Sequence, residues 1–438
     1  MSPVDVPIAT HLARRVGEQL ATDRAQREAN GRPRLPRDDE RQLTRRLIAT
    51  ALDTLAEERL AEGLDPADPE TEHDLVEAVF ARVQGLAGIQ PYLDDPDVTD
   101  IHIRGHDSVW LKLRDGTRRP ADPVATSDEE LVELVRVIAA RMGRSERRFD
   151  AANPELNIQL PAGSRLFATM EVSSRPSVVI RRHWFELSWL NELHERGMID
   201  RALKSFLTAA VRARRNLIIA GGTGTGKTTL LRALLNEVPR LERLVTIEDA
   251  YELAIDRFED CHPDYDMLQS RPPNIEGHGE VTMLDLTRMA LRMDPDRVIV
   301  GEVRGAEAFP MLMAMSQGNN GSMCTLHADS TRAVFPKLAA YVAMADTRLP
   351  IETVNLLVAT AVHFVIYIDH IDGVRRVTSV REVIDADGVQ VVSNEVFRPG
   401  PLGAAVPGYP LRDSTIALLV ANGFDGSLLD APDGWWYQ

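Results

Sequence analysis

The chain has 438 residues, of which 44% are hydrophobic and 26% charged, and a formal net charge of -16. This length exceeds one ordinary hydrophobic core and predicts two or three domains of a globular protein. The acidic balance and the 5% content of aromatic residues argue against a protein that works on DNA or RNA, which needs basic patches and stacking side chains. The two cysteines, Cys261 and Cys324, form no disulfide or metal pattern and fit a reducing cytosol.

No stretch of the sequence predicts a transmembrane segment. The best candidate is NLLVATAVHFVIYI, residues 355–368, which is about 14 residues long, whereas a span needs about 20 apolar residues. We therefore expect a buried helix that runs into a buried strand. The N-terminal stretch MSPVDVPIATHLARRVGEQL has no apolar core of signal-peptide length.

The first part of the chain is predicted to be a helical N-terminal appendage, residues 1–84. Helical patterns cover residues 11–29 and 39–61. A third helix is predicted to begin at Thr71, with Asp74 completing a capping box. We expect these helices to pack together or to bind a partner.

Residues 85–185 predict a small α+β domain. The segments VTDIHIRG and VWLKLRDGTRR alternate apolar and polar residues around the turn RDGT. An amphipathic helix, SDEELVELVRVIAARMG, follows, and LNIQLPAGSRLFATMEV and PSVVIRRHWF predict further strands. Residues 186–200 are predicted to form a connector.

Residues 201–390 predict an α/β domain. Strands alternate there with helices, which indicates a mostly parallel, doubly wound sheet. The remaining residues, 391–438, are rich in Pro and Gly and are predicted to be a C-terminal tail.

The segment LIIAGGTGTGKTTLLRALL, residues 217–235, predicts a phosphate-binding loop. It matches G-x-x-x-x-G-K-[ST] between a strand and a helix, so its N–H groups can surround a β-phosphate. Lys227 can reach the β- and γ-phosphate oxygens, and the Thr228 hydroxyl suits Mg²⁺. The residues expected to bind the nucleotide are Gly221, Gly222, Thr223, Gly224, Thr225, Gly226, Lys227, Thr228 and Thr229.

Three further strands end in polar residues. Glu248 and Asp249 follow RLVTI, Glu302 ends DRVIVGE, and His327 follows SMCTL. The carboxyl ends of parallel strands line one crevice, so these residues can converge on the nucleotide, bind Mg²⁺ and align a water molecule.

Each of these residues also has a purely structural interpretation. Glu248 and Asp249 could cap a following helix. Glu302 could pair with Arg304 or Arg297 at the surface. His327, taken alone, could be a hydrogen-bonded core residue.

Several of these segments resemble motifs of the secretion ATPases. TIEDAYEL, RPPNIEGHGEVT, LRMDPDRVIVGEVRGAEA and GSMCTLHADS look like the Asp box, the connecting segment, the Walker B box and the His box of the CpaF/TadA type. That type is related to the motor ATPases of type II secretion, type IV pili and type IV secretion. The resemblance covers residues 85–383. It departs from the family pattern at GNNGS before the His box and in extra residues before Arg271.

The resemblance implies a RecA-like P-loop ATPase domain that uses ATP and Mg²⁺. It implies a homo-oligomeric ring, a hexamer, with ATP between its subunits. Such a ring would be cytoplasmic and peripheral at the inner face of the cytoplasmic membrane, recruited by an integral-membrane platform protein of a pilus or secretion system. No direct contact with nucleic acid is expected.

The resemblance also implies roles for single residues. Glu302 is expected to orient the attacking water or to hold Mg²⁺ through water, together with Thr228 as metal ligand. Glu248 is expected to assist. His327 is expected to sense the γ-phosphate or the neighbouring subunit.

In this family an arginine of the N-terminal α+β domain also reaches ATP. The candidates are Arg165, Arg175, Arg181 and Arg182, and spacing does not choose among them. Arg181 ends an apolar strand, and Arg175 precedes Pro176 in an extended lead into it, so both are expected to be catalytic. The alternative for each is a solvated strand face.

The expected function is an ATP-hydrolysing ring motor that powers assembly of a Tad/Flp-type pilus or of a type II/IV-like secretion apparatus. The alternative is a nucleic-acid translocase of the same fold. A third interpretation is a nucleotide-binding scaffold without hydrolysis, against which Lys227, Thr228, Glu248 and Glu302 count.

Overall fold

The computed structural model describes most of the chain in two compact units, Met1–His183 and Trp184–Gln438. The described residues are 6–30, 35–61, 63–65, 68–84, 86–142, 148–160, 163–182, 188–257, 260–274, 276–400 and 402–436.

The first unit begins with three helices, as the sequence predicts. They are α1 (Val6–Ala29), α2 (Arg37–Ala61) and α3 (Pro69–Gln84). Their apolar stripes pack into one cluster, which includes Leu12, Val16, Ile48, Leu75 and Val79. Burial of these stripes holds the helices together, because isolated helices of this kind are marginal in water.

The predicted start of α3 at Thr71 is wrong. The Asp68 carboxylate accepts hydrogen bonds from Thr71 N at 3.0 Å and Thr71 Oγ1 at 2.7 Å. The helix therefore begins earlier, at Pro69. A carboxylate at this position satisfies an unpaired N–H and interacts favourably with the positive end of the helix.

A six-stranded antiparallel sheet follows, in the order β3-β2-β1-β6-β5-β4. Its strands are β1 (Val98–Arg104), β2 (Ser108–Leu113), β3 (Arg118–Ala121), β4 (Glu155–Gln159), β5 (Arg165–Thr169) and β6 (Ser177–Arg181). The helices beside it are α4 (Gln90–Asp94) and α5 (Asp128–Met142). The predicted hairpin through residues 114–117 is confirmed by the pairing of β2 with β3. Part of the predicted strand end, residues 183–185, lies outside the described residues.

The two faces of this sheet differ. Alternate residues such as Ile101 and Ile180 are buried in a cluster that includes residues of α5. On the opposite face Val179 and Phe167 are neighbours across β6 and β5, and both are exposed. Arg165 and Arg181 are the next pair along these strands on that face.

The second unit is built on a nine-stranded sheet in the order β15-β14-β13-β12-β7-β11-β10-β8-β9. Its strands are β7 (Leu217–Gly221), β8 (Leu244–Glu248), β9 (Tyr265–Gln269), β10 (Arg297–Val303), β11 (Met323–Leu326), β12 (Phe364–Ile371), β13 (Val374–Asp387), β14 (Gln390–Pro399) and β15 (Ala405–Pro407). The six strands from β12 to β9 in this order are parallel. Strands β13, β14 and β15 extend the sheet in antiparallel pairs.

Helices cover both faces of this sheet. They are α6 (Leu190–Glu195), α7 (Arg201–Arg212), α8 (Lys227–Leu235), α9 (Met283–Ala290), α10 (Ala308–Ser316), α11 (Val334–Met344), α12 (Ile351–Ala361) and α13 (Asp413–Ala421). Successive residues of β7 enter opposite cores, Leu217 and Ile219 one of them, Ile218 and Ala220 the other. The continuous apolar strands follow from this burial on both faces.

The stretch 355–368 forms the end of α12 and the start of β12, as predicted. Within the described ranges, no helix is both long enough and apolar enough to cross a membrane. The extra residues before Arg271 include β9, which pairs with β8 at the sheet edge.

The segments expected as connector and tail are parts of the second unit. Leu190 and Leu193 of α6 lie in the same core as Phe397 of β14 and Leu419 of α13. The described residues between 391 and 436 therefore extend the sheet through β14 and β15 or pack against it, instead of trailing from it. The elements there are short, and the Pro- and Gly-containing stretches PGPLG and PGYP separate them, so the sequence shows no long periodic pattern.

Candidate functional site

The P-loop joins β7 to α8 in a turn that only glycine fits at two positions. Gly226 has φ of 99° and directly precedes Lys227, the first residue of α8. A Cβ at Gly221 would lie 2.5 Å from the carbonyl oxygen of Ile368 in β12. The backbone therefore approaches its neighbours closely and directs the N-terminus of α8 to the loop, where unpaired N–H groups favour an anion.

The threonines of the P-loop segment differ in burial and in hydrogen bonding. The hydroxyl of Thr225 donates a hydrogen bond to Gly222 O at 3.0 Å, which closes the turn. Thr223 is exposed at the tip. Thr228 and Thr229 lie in the first turn of α8 and are half-buried.

Lys227 lies over the loop itself. Its Nζ donates hydrogen bonds to Gly221 O at 3.1 Å and Gly222 O at 2.7 Å, and lies 3.3 Å from His327 Nδ1. Burial lowers the pKa of Lys227, and the charge of Glu302 opposes that shift. The ammonium group therefore lies against the loop carbonyls, beside the N-terminus of α8.

The structure brings His327 and Glu302 to the same lysine. His327 Nε2 lies 2.9 Å from Glu302 Oε1, so Lys227, His327 and Glu302 form a continuous polar chain. Burial and the charge of Lys227 lower the pKa of His327. A neutral imidazole lets Nδ1 accept from Lys227, whereas Nε2 lies close to Glu302 Oε1 without hydrogen-bond geometry.

Arg304 holds the other oxygen of Glu302. Glu302 Oε2 accepts from Arg304 Nη2 at 2.5 Å, and Arg304 Nη1 lies 3.6 Å from Asp249 Oδ2. The ion pair between Glu302 and Arg304, which the sequence offered as a purely structural role, is therefore formed. Arg297 instead pairs with Glu242.

Glu248 is the most deeply buried acid of the site. Its Oε1 accepts hydrogen bonds from Glu252 N and Leu253 N, both at 2.8 Å. In the part of the chain that the structure describes, no group hydrogen-bonds the buried Oε2. Burial raises the pKa of Glu248 to about 7. A carboxyl group with that pKa can take up or release a proton near neutral pH.

The residues present fit Mg²⁺ bound together with a nucleotide. Thr228 offers a hydroxyl oxygen at the start of α8, and Glu302 offers a carboxylate at the end of β10. The described residues include no group of three or more His, Cys, Asp or Glu that could hold a metal by itself. Mg²⁺ in nucleotide sites takes few protein ligands and completes its shell with water and phosphate oxygens.

Arg175 is engaged inside the first unit. Its Nε and Nη2 donate to the two oxygens of Asp128 at 2.9 and 2.7 Å, and its Nη1 donates to Asp107 Oδ1 at 2.7 Å. These hydrogen bonds raise the pKa of Arg175 and hold that of Asp128 far below its usual range. The side chain ties α5 and the β1–β2 turn to the start of β6.

The other candidate arginines differ in their exposure and in their hydrogen-bond partners. The side chain of Arg181 is 63% exposed, and its Nε lies 3.3 Å from Asp100 Oδ1. Arg182 Nη1 donates to the carbonyls of Asp95 and Val98. Arg165 Nε donates to Asn157 Oδ1 at 3.2 Å. Of the two expected catalytic arginines, Arg181 is the more available for a ligand.

The sequence patterns missed Arg375, which follows the hairpin turn between β12 and β13. A Cβ at Gly226 would lie 3.2 Å from Arg375 Cδ, so this side chain borders the P-loop. No motif marks it. The only sequence signal is IDGVRR, a turn with two arginines after it.

Comparison with known proteins assigns the family. The family model for "Type II/IV secretion system protein" matches residues 84–382. A Mycobacterium tuberculosis protein, provisionally named a conjugal transfer protein, is 37% identical over 268 residues, 59% of this chain and 73% of the relative. The type IV secretion system protein PtlH of Bordetella pertussis is 30% identical over 311 residues, 65% of this chain and 89% of the relative.

A solved structure confirms the fold expected from the sequence. The pilus retraction motor PilT with bound ADP is similar over 80% of this chain and 90% of its own, with a TM-score of 0.50 and 15% identity. The second unit is a RecA-like P-loop domain, and a smaller α+β domain and helices precede it. The chain belongs to the family of type II/IV secretion system proteins.

Proposed function

We propose that this chain is an ATPase whose ring powers a pilus or secretion apparatus. The observation that supports hydrolysis is the convergence of Lys227, His327 and Glu302 at one P-loop, with the buried Glu248 on the next strand. ATP is the substrate in this proposal. Its phosphates would take the N–H groups at the start of α8 as donors.

The residues divide the work of phosphoryl transfer. Lys227 would exchange its hydrogen bonds to Gly221 and Gly222 for bonds to β- and γ-phosphate oxygens. Thr228 and Glu302 would hold Mg²⁺, which neutralises phosphate charge. Glu302 would also orient the attacking water, and its pairing with Arg304 would have to loosen first.

His327 and Glu248 are assigned supporting roles. His327 lies between Lys227 and Glu302, so a change at the phosphates would reach Glu302 through one ring. Glu248 would accept a proton or position the water, because its pKa near neutrality lets it act in either protonation state.

Substitution of Lys227 tests hydrolysis directly. Lys227→Ala should abolish Mg²⁺-dependent phosphate release, because it removes the positive charge that would stabilise the β- and γ-phosphate oxygens. Lys204→Ala, a lysine of α7 in the same unit, serves as the charge-matched control and should hydrolyse ATP like the unmodified protein. Equal phosphate release by Lys227→Ala would reject the ATPase proposal.

The finer proposal is a hexameric motor for a Tad/Flp-type pilus or a related secretion apparatus. The relatives named for type IV secretion and conjugal transfer and the pilus motor PilT support this class. Its partner would be an integral-membrane platform protein, with the ring in the cytoplasm at the inner face of the membrane. Mass measurement with Mg²⁺ and an ATP analogue should show six subunits. A monomer that retains full turnover would contradict the ring.

A nucleic-acid translocase is the competing function. The net charge of -16 and the low aromatic content disfavour it. Single-stranded or duplex DNA should leave the rate of ATP hydrolysis unchanged. A severalfold, salt-sensitive stimulation by DNA would favour the translocase instead.

Arg181 is proposed to complete the nucleotide site of a neighbouring subunit. Its exposed guanidinium lies 3.3 Å from Asp100, its ion-pair partner among the described residues, so little is lost when it turns to a phosphate. An arginine supplied in this way accelerates phosphoryl transfer by about 10³-fold or more. Arg181→Ala should therefore reduce turnover steeply, while Arg118→Ala on β3 should not.

Mixed rings separate action within a subunit from action between subunits. Arg181→Ala protein keeps its P-loop, and Lys227→Ala protein keeps Arg181. Mixing the two inactive proteins should restore part of the turnover if Arg181 acts in trans. No recovery in rings shown to be mixed would reject that arrangement. Arg175→Ala should chiefly lower the stability of the first unit, because Arg175 already bonds Asp107 and Asp128.

A further inference from the structure

The strand beside the P-loop strand extends beyond it. Parallel pairing aligns Ile368 of β12 with Gly221 at the end of β7, and β12 continues to Ile371 before the chain turns into β13. At about 3.3 Å per residue, the hairpin reaches about 10 Å past the register at which the P-loop begins. It therefore forms a wall along one flank of the loop.

Arg375 lies on this wall. It is paired with His370 across the hairpin, and its Cδ would lie 3.2 Å from a Cβ at Gly226. The backbone around it is fixed, because Val377 N donates to Met198 O at 2.9 Å. The methyl group of Met198 in turn lies beside Gly226, 2.9 Å from the same Cβ position.

Arg375 is an exposed residue. Across the described ranges, no acid or carbonyl forms an ion pair or hydrogen bond with it. An unpaired arginine next to the N–H groups at the start of a helix adds positive charge to an anion-binding site.

The order of the strands places Arg375 and the acids of the site on opposite sides of β7. Glu302, His327 and Glu248 come from β10, β11 and β8, on one side of β7. Arg375 comes from the β12–β13 hairpin on the opposite side. It is therefore separated from the residues assigned to the γ-phosphate.

We propose that Arg375 binds the α- and β-phosphates of the nucleotide, the part that remains after the γ-phosphate leaves. The inference rests on the proposed nucleotide site and adds a residue to it. A contact made equally to the substrate, the transition state and the product contributes uniform binding, which lowers KM and leaves kcat unchanged.

Binding of ADP by the full-length chain tests the inference. Arg375→Ala should raise the Kd for ADP about tenfold, which corresponds to about 1.4 kcal/mol, and raise the KM for ATP by a similar factor. The kcat should stay within about twofold. Arg375→Lys should fall between the two proteins, because it keeps the charge and loses the planar pair of donors. The control Arg240→Ala removes an exposed arginine that follows the far end of α8 and should bind ADP normally.

Inorganic pyrophosphate distinguishes a phosphate contact from stacking on the base. Its ability to displace a fluorescent ADP analogue should also weaken about tenfold in Arg375→Ala. Unchanged pyrophosphate affinity with weakened ADP affinity would assign Arg375 to the base and overturn the proposal.

Two other results would overturn it as well. Unchanged ADP affinity in Arg375→Ala, or a loss of kcat with ADP affinity intact, would reject Arg375 alone and leave the ATPase proposal standing. Absence of ADP binding by the unmodified protein, measured in parallel, would reject the proposed nucleotide site itself and the inference with it.

Discussion

The two flanks of the P-loop strand β7 are built differently. On the acid flank, formed by β11, β10 and β8, every strand is parallel to its neighbours and ends at the site. On the hairpin flank, formed by β12, β13, β14 and β15, the chain turns back and antiparallel pairing continues to the sheet edge. Parallel strands each place one residue at a common edge of the sheet. The hairpin instead extends past that edge and lies beside the P-loop.

This difference separates two kinds of contribution. The acid flank supplies Glu302, His327 and Glu248, residues suited to proton transfer and water alignment. The hairpin flank supplies Arg375 and packs against the C-terminal residues. We expect changes on the acid flank to alter turnover, and changes on the hairpin flank to alter affinity or stability.

The largest effect is expected from Glu302→Gln on the acid flank. An amide cannot accept the proton or bind Mg²⁺ as a carboxylate does, so turnover should fall by about 10²-fold or more. Affinity for ADP should remain within about threefold. Single-turnover kinetics and ADP titration measure the two quantities. If Glu302→Gln lost ADP affinity and kept its kcat, the assignment of turnover to the acid flank and of affinity to the hairpin flank would be wrong.

A smaller effect, on stability, is expected from Glu248→Gln. Burial raises the folded-state pKa to about 7 from the ordinary 4.5, so between these values the folded protein holds a proton that the unfolded chain releases. Stability should therefore fall as the pH rises through that window and level off above it. The variant lacks this dependence and should gain up to about 3 kcal/mol relative to the unmodified protein between pH 5 and pH 8.

Thermal melting of both nucleotide-free proteins from pH 5 to pH 8.5 measures that difference. His363 acts in the opposite direction, because burial lowers its pKa to about 4 and stability is lost as the pH falls below about 6.5. Both proteins contain His363, so its contribution cancels. Parallel melting curves for the two proteins would show that Glu248 is ionised in the folded state.

The smallest effect is expected from Asp200→Ala, beside the hairpin flank. Asp200 Oδ1 accepts from Leu203 N at 2.7 Å and caps α7, and Oδ2 accepts from Trp435 N at 2.9 Å near the C-terminus. The neighbouring Trp436 Nε1 donates to Ala405 O in β15. Loss of the cap should cost about 1–2 kcal/mol and lower the Tm by about 2–4 °C.

Turnover per folded molecule should not change in Asp200→Ala. Asp200→Asn serves as an intermediate variant and should lose less stability than Asp200→Ala, since its single amide oxygen can still accept from Leu203 N whereas its amide nitrogen cannot accept from Trp435 N. A large loss of turnover without a change in Tm would assign the hairpin flank a role in catalysis.

The sequence by itself determined the local parts of the site. A strand, a glycine-rich turn and a helix predict the P-loop, since turn geometry and helix start depend on residues close together in the chain. Continuous apolar strands predict burial on both faces, and the polar residue after each strand predicts convergence at one edge. These patterns identified Lys227, Glu248, Glu302 and His327 as candidates.

Tertiary structure alone decided the features that depend on register and burial. The pairing of Ile368 with Gly221 makes the hairpin pass the P-loop and places Arg375 beside it. Burial in the assembled domain raises the pKa of Glu248, and the hydrogen bonds from Glu252 N and Leu253 N oppose that rise. The ion pairs of Arg175 join segments far apart in the sequence. Such contacts leave no periodic pattern in the chain, because each depends on which strands become neighbours when the sheet assembles.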